Sequence, residues 1–187
     1  MTELIDRFDT VTNGFTTVAE AVSPDDWDRP APPEGWVARD VVRHLVEWVP
    51  SLVLDGWGIE RPDFPSVDDD PLAAWLTLRD ALRAGLADPT IAATEADIMP
   101  GRFRYDVAVD MFATGDVLIH TWDLGVATGQ DVVLDPVEVH RAYEGMLPMD
   151  EILRQSGHYG PRVDVPDDAD EQTKLIAFTG RQPIQGG

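Results

Sequence analysis

The first clear pattern along the chain is a set of apolar residues recurring at steps of three and four. Leu4, Phe8, Val11, Phe15, Val18 and Val22 fall on one face of a helical wheel, which predicts an amphipathic first helix closing at Ser23-Pro24. The proline-rich stretch "DRPAPPEG" then reads as a connection. A second helix is predicted over 37–54, with Val41, Leu45, Trp48 and Leu52 on one face; Pro50 inside it predicts a kink or an early end. Residues 55–70 read as an acidic loop. Asp70-Pro71 supplies an N-cap and first helical residue for a third helix through Leu72, Trp75, Leu76, Leu82 and Leu86, stopping at Asp88-Pro89.

Residues 89–104 show no periodicity and read as irregular, with a turn at Pro100-Gly101. A fourth helix is predicted over 105–127, with Gly129 as its C-terminal cap. Asp135-Pro136 begins a fifth, and Glu138 stands where it would complete a capping box. Pro148 and Gly157 interrupt the chain beyond that helix. The ending "YGPRVDVPDDADEQTKLIAFTGRQP" predicts an extended piece and a last short helix over 171–178. The expected fold class is all-α: a helical unit over 1–130, and a helical C-terminal extension over 131–187 that packs on it rather than standing as a domain of its own.

The fourth helix carries a conflict. On a wheel of about 100° per residue, Val107, Ala108, Met111, Phe112, Leu118, Ile119, Trp122 and Val126 cover one broad side. Asp110, Thr114 and Thr121 form a narrow strip suited to water, and Asp116, His120 and Asp123 form a second strip roughly opposite. A helix apolar nearly all round is a buried helix, so the second strip points into protein. Burying charge requires a partner.

Composition narrows the options for that partner. The chain has no cysteine, which excludes disulfides, thiolate ligands and a cysteine nucleophile; any thiol would have to arrive as a co-substrate. Its formal charge is −21, and a polyanion of this kind repels nucleic acid and anionic membrane surfaces. Lys174 is the sole lysine among fourteen basic residues, which disfavours Schiff-base and P-loop lysine chemistry. No run of 18 apolar residues suggests a membrane span, and the acidic, amphipathic opening does not read as a secretory signal. A cytoplasmic location is the expectation.

Asp116 and His120 are four residues apart, so their Cβ atoms lie ~5–6 Å from each other on one helix face. Such a pair can hold a divalent cation, or can simply hydrogen-bond to itself in a buried structural network. His44 comes three residues after Val41 and four before Trp48, so it points with the core stripe of the second helix and could supply a third ligand. Two neutral imidazoles and a carboxylate resemble a catalytic zinc shell with an open position; the same donors suit iron or nickel. Asp123 could orient a histidine from behind, and Glu47, three residues after His44, is a reserve carboxylate. His140, on the fifth helix, is expected to face solvent, and His158, beside Tyr159-Gly160-Pro161, reads as a loop histidine.

Two segments also resemble a known family. "EGWVARDVVRHLVEW" and "DVLIHTWDLGVATG" are similar to the two histidine signatures of the DinB-like superfamily, in its branch around the N-terminal domain of mycothiol-dependent maleylpyruvate isomerase. The C-terminal segment resembles an uncharacterised metal-binding subgroup of that branch. The resemblance implies a four-helix bundle with a short C-terminal extension, holding one divalent metal, zinc before nickel or iron. It implies a small-molecule substrate, a mycothiol-like thiol as possible co-substrate in transfer or isomerisation, and a possible homodimer. The family's two histidines and glutamate fall by position on His44, His120 and Asp116; aspartate is one methylene shorter than the family's glutamate. The larger second domain of the isomerase has no counterpart here, so maleylpyruvate isomerisation itself is not implied. A bundle that binds metal or a small ligand without catalysis is the alternative.

Overall fold

The computed structural model describes residues 2–99, 101–155, 157 and 159–183; His158 and Pro100 lie outside them. The chain is mostly helical. Helix α1 (Thr2–Glu20) buries Phe8, Val11, Phe15 and Val18, the predicted stripe, and gives way at Pro24–Asp26 to a 3₁₀ turn. Helix α2 (Ala38–Val49) buries Val41 and Leu45, and α3 (Pro71–Ala87) buries Trp75, Leu82 and Leu86. Asp70 caps α3 as expected, its side chain accepting the Ala73 N–H at 2.9 Å. Helix α4 (Pro89–Ala93) is a short turn capped by Asp88. Helices α1 and α2 each pack on α3 and on α6 (Gly115–Thr128), and the Phe15 and Trp75 rings meet at 4.4 Å where α1 crosses α3.

The all-α expectation needs one correction. Residues read as irregular form a two-stranded antiparallel hairpin, β1 (Glu95–Ile98) and β2 (Gly101–Arg104). Ala96, Ile98 and Phe103 turn partly inward, while Arg102 on the outside pairs with Glu95 and Asp97. Strands of four residues sit at the lower limit of strand length, too short for an alternating pattern to be distinctive.

The α-helical part of the second rod ends at Val49, the early end that Pro50 predicts, but helical chain continues past it. The rod widens into a π-helical turn (Pro50–Leu54), closed by the Asp55 N–H on the Pro50 carbonyl, and stops at Gly58 in the left-handed region. Proline has no N–H to give the α-helical ladder, and the wider turn absorbs that loss. A second π turn (Val109–Thr114) lies between α5 (Tyr105–Ala108) and α6. Its extra residue shifts the helical phase, so a wheel drawn at one constant angle fails across it. Val107 and Met111, placed on the apolar side, are exposed. Thr114 and Thr121, placed toward water, are buried, with hydroxyls donating to the Val109 and Val117 carbonyls. Asp110 pairs with Arg7 of α1.

Residues 117–125 of α6 are all buried, and Gly129 caps the helix with φ 73°. Helix α7 (Pro136–Met146) is capped by Asp135; Glu138, instead of completing a capping box, bonds the buried Arg7. Helix α8 (Asp150–Gln155) precedes the predicted extended stretch, and α9 (Glu171–Phe178) packs on α7. The Val163 N–H reaches the Ala177 carbonyl, and the Arg154 and Arg162 guanidiniums lie over the Phe178 ring. No helix among the described residues is long and apolar enough to cross a membrane.

His140 faces solvent as expected, with Nδ1 2.9 Å from Oε1 of Glu171. That hydrogen bond, together with the charge of Glu171, raises the His140 pKa. A raised folded-state pKa contributes stability that is present below the unfolded value and lost as pH rises through the folded one. In an NMR titration His140 should titrate above the ordinary ~6.5, and Glu171→Gln should return it there. An unchanged midpoint in the variant would contradict the pairing.

Candidate metal centre

Helix α2 presents His44 and α6 presents Asp116 and His120, and the contact between these helices brings the three together. Asp116 Oδ2 lies 3.2 Å from His44 Nε2, and Asp116 Oδ1 lies 3.5 Å from His120 Nε2. All three donor atoms fall within 4.8 Å of one another. In a tetrahedral zinc shell with bonds of ~2.0–2.1 Å, neighbouring ligand atoms stand ~3.3 Å apart. Each carboxylate–imidazole separation is near that edge, the two ending on different oxygens of Asp116. Aspartate, though one methylene shorter than glutamate, reaches both imidazoles because it shares a helix face with His120.

The orientation of each ring follows from what holds its far side. Asp123 is fully buried, and its Oδ2 lies 2.8 Å from His120 Nδ1. Burial alone would push the Asp123 pKa up, but bonds from His120 and Arg181 pull it below its ordinary value. An ionised carboxylate can only accept, so His120 Nδ1 carries a proton and Nε2 is the ring atom that faces Asp116. Burial likewise opposes ionisation of Asp116; His120, His44 and the Trp48 N–H outweigh it and lower its pKa. A lone pair and a carboxylate facing each other at 3.5 Å repel unless a positive charge lies between them. A cation supplies that charge, and so does a second proton on the imidazole.

Tryptophans frame the group. Trp48 Nε1 donates to Asp116 Oδ2 at 2.9 Å, fixing the carboxylate. Trp36 stacks on His120 at 5.8 Å with 15° between planes, and its ring centre is 5.1 Å from that of His44. Tyr159 stands close enough to feel the Asp116 charge; burial first, then Asp116, pushes its phenol up to about 12, so it keeps its proton at neutral pH.

Of the residues singled out from sequence, His44, Asp116, His120 and Asp123 converge, whereas Glu47 is exposed on the outer face of α2. Sequence reasoning missed Trp36, Trp48 as a donor, Tyr159 and Arg181. Trp48 was findable, since it lies four residues after His44 on the same face. Arg181 lies beyond α9 with no periodic pattern to place it.

No family model matches the chain, and no solved structure matches it. Curated relatives do: uncharacterized protein Rv0738 of Mycobacterium tuberculosis (strain ATCC 25618 / H37Rv) and uncharacterized protein MT0763 of the same species (strain CDC 1551 / Oshkosh). Each is 25% identical over 171 residues, covering 90% of this chain and 92% of the relative.

Proposed function

We propose that the chain is a divalent-metal-binding protein of the DinB-like four-helix-bundle type, acting as a metal-dependent enzyme that uses a small thiol in transfer or isomerisation. The carrying observation is the convergence of His44, Asp116 and His120, two imidazole Nε2 atoms against the two oxygens of one carboxylate. Packing of α1 and α2 each on α3 and α6 supports the bundle. Zinc is the cation we assign to this donor set, which iron or nickel also suit.

A divalent cation held there supplies an open coordination position that makes a bound thiol more acidic. The chain's own residues prepare the place. Asp123 holds the proton on His120 Nδ1 and keeps Nε2 bare. Trp48 fixes Asp116. Trp36 covers His120 and shields that side from water. Tyr159, near enough to feel the Asp116 charge, stays a neutral phenol. The absence of cysteine leaves no internal thiol to compete for the open position.

Elemental analysis after loading with zinc should find one equivalent in the wild type and its loss in His44→Ala. Full retention of metal by that variant would overturn the assignment. Failure of the wild type to take up any metal would leave a hydrogen-bonded Asp–His network as the structure's meaning. Incubation with several low-molecular-weight thiols and a model electrophile then separates enzyme from binder: turnover that disappears in His44→Ala supports catalysis, and metal binding without turnover supports a scavenger or sensor.

A further inference from the structure

We propose that Arg181 is a positioning residue for the cation site, holding Asp123 so that His120 presents a bare Nε2 to the cation. The inference rests on reading His44, Asp116 and His120 as one cation site, and it adds that the C-terminal segment completes that site.

Asp123 takes three bonds on two oxygens. Arg181 Nε donates to Oδ1 at 2.6 Å, Arg181 Nη2 to Oδ2 at 2.7 Å, and His120 Nδ1 to the same Oδ2 at 2.8 Å. The bidentate clamp fixes the plane of the carboxylate, a torsion that is otherwise broad. Asp123 is fully buried and Arg181 is 13% exposed, so no solvent stands ready to replace the guanidinium. Without it, Asp123 can pivot away from Nδ1, and nothing fixes which ring nitrogen carries the proton. A proton on Nε2 removes the lone pair a cation needs.

The fold delivers Arg181 to this point by a tight crossing. Gly180 has φ +89°, and a Cβ added there would stand 2.8 Å from the Gly160 Cα. Arg154 secures the same crossing through hydrogen bonds to the Gly160 and Phe178 carbonyls. A side chain at 180 therefore displaces Arg181 although it touches neither ligand nor carboxylate. Holding the outer nitrogen of a ligating histidine is commonly worth about 10–100-fold in metal affinity.

The test uses the full chain with Arg181→Gln, Arg181→Lys and Gly180→Ala, each checked for native secondary structure by circular dichroism. Two readouts are taken: zinc affinity by competition with a chromophoric chelator, and the tautomer of His120 in chelator-treated protein by long-range ¹H–¹⁵N correlation. Arg181→Gln should bind zinc ~10–100-fold more weakly and should lose the fixed Nδ1–H that the wild type holds against Asp123. Gly180→Ala should weaken binding in the same direction, and Arg181→Lys should recover part of the loss. A folded Arg181→Gln variant with wild-type affinity and an unchanged tautomer would overturn the proposal. If the wild type takes up no zinc yet the tautomer is lost in Arg181→Gln, the positioning role stands and the cation site falls.

Discussion

Arg7→Ala should cost about 3–5 kcal/mol of folding free energy, the size expected when one member of a buried ion network is removed. For a chain of this length that lowers Tm by about 2–4 °C per kcal/mol. Arg7 projects from α1 between Asp110 of the π turn and Glu138 of α7 and bonds both carboxylates. It is 9% exposed, Glu138 7% and Asp110 20%. With two acids facing one cation, its deletion leaves one buried and one half-buried charge without a partner. The contrast is Arg102, whose pairs with Glu95 and Asp97 lie in water; Arg102→Ala should change stability by ~0–1 kcal/mol. Denaturant unfolding of both variants decides the matter. A loss for Arg7→Ala no greater than that for Arg102→Ala would show that the triad does not hold α1, the π turn and α7 together. Substituting all three members with apolar residues should recover most of the loss, because the penalty comes from stranded charge.

That triad also marks where the sequence stopped being legible. Caps and stripes read well because each is a local rule: Asp70 before Pro71, Asp135 before Pro136, Gly129 after α6, and the three-and-four spacing of α1. Glu138 looked like a capping-box acid because its spacing from Asp135 allowed it. Its actual bond, to Arg7, spans 131 residues of sequence and obeys no spacing rule. The two π turns were hidden for a related reason. A wheel assumes one constant angle, and a single inserted residue rotates everything on its far side. The Val107 and Met111 errors are that rotation made visible. His140 read correctly because an exposed helix face needs no tertiary partner to be predicted.

The candidate site was partly legible on the same terms. Asp116, His120 and Asp123 share one unbroken α-helix beyond the π turn, so their spacing translates directly into adjacency. His44 could be placed from the core stripe of α2. Trp36 reaches the site from a loop, and Arg181 from irregular chain 58 residues beyond Asp123, so neither carried a signal. The burial of Asp123 was readable; the identity of its counter-charge was not. Of the thirteen arginines, only the folded chain shows which one is turned inward at that point.

Asp123→Asn should destabilise the metal-free protein by about 3–5 kcal/mol at neutral pH, and this deficit should disappear in acid. The substitution keeps shape and volume, so the effect isolates charge. At neutral pH the ionised Asp123 accepts from Arg181 twice and from His120 once, in a place closed to water. An amide can accept through one oxygen only, and its NH₂ meets either a guanidinium or an imidazole N–H. The pH dependence comes from the lowered pKa of Asp123. A depressed folded-state pKa contributes stability that is fully present above the unfolded value of ~3.9 and is lost as pH falls through the folded one. The wild type should therefore lose its advantage below about pH 4, whereas the stability of Asp123→Asn should fall less steeply there. Urea unfolding of both proteins in chelator, at several pH values from neutral to acid, gives the difference directly. A gap that stays constant across that range would mean that Asp123 acts through packing and not through its charge. Asp123 would then not hold a proton on His120 Nδ1.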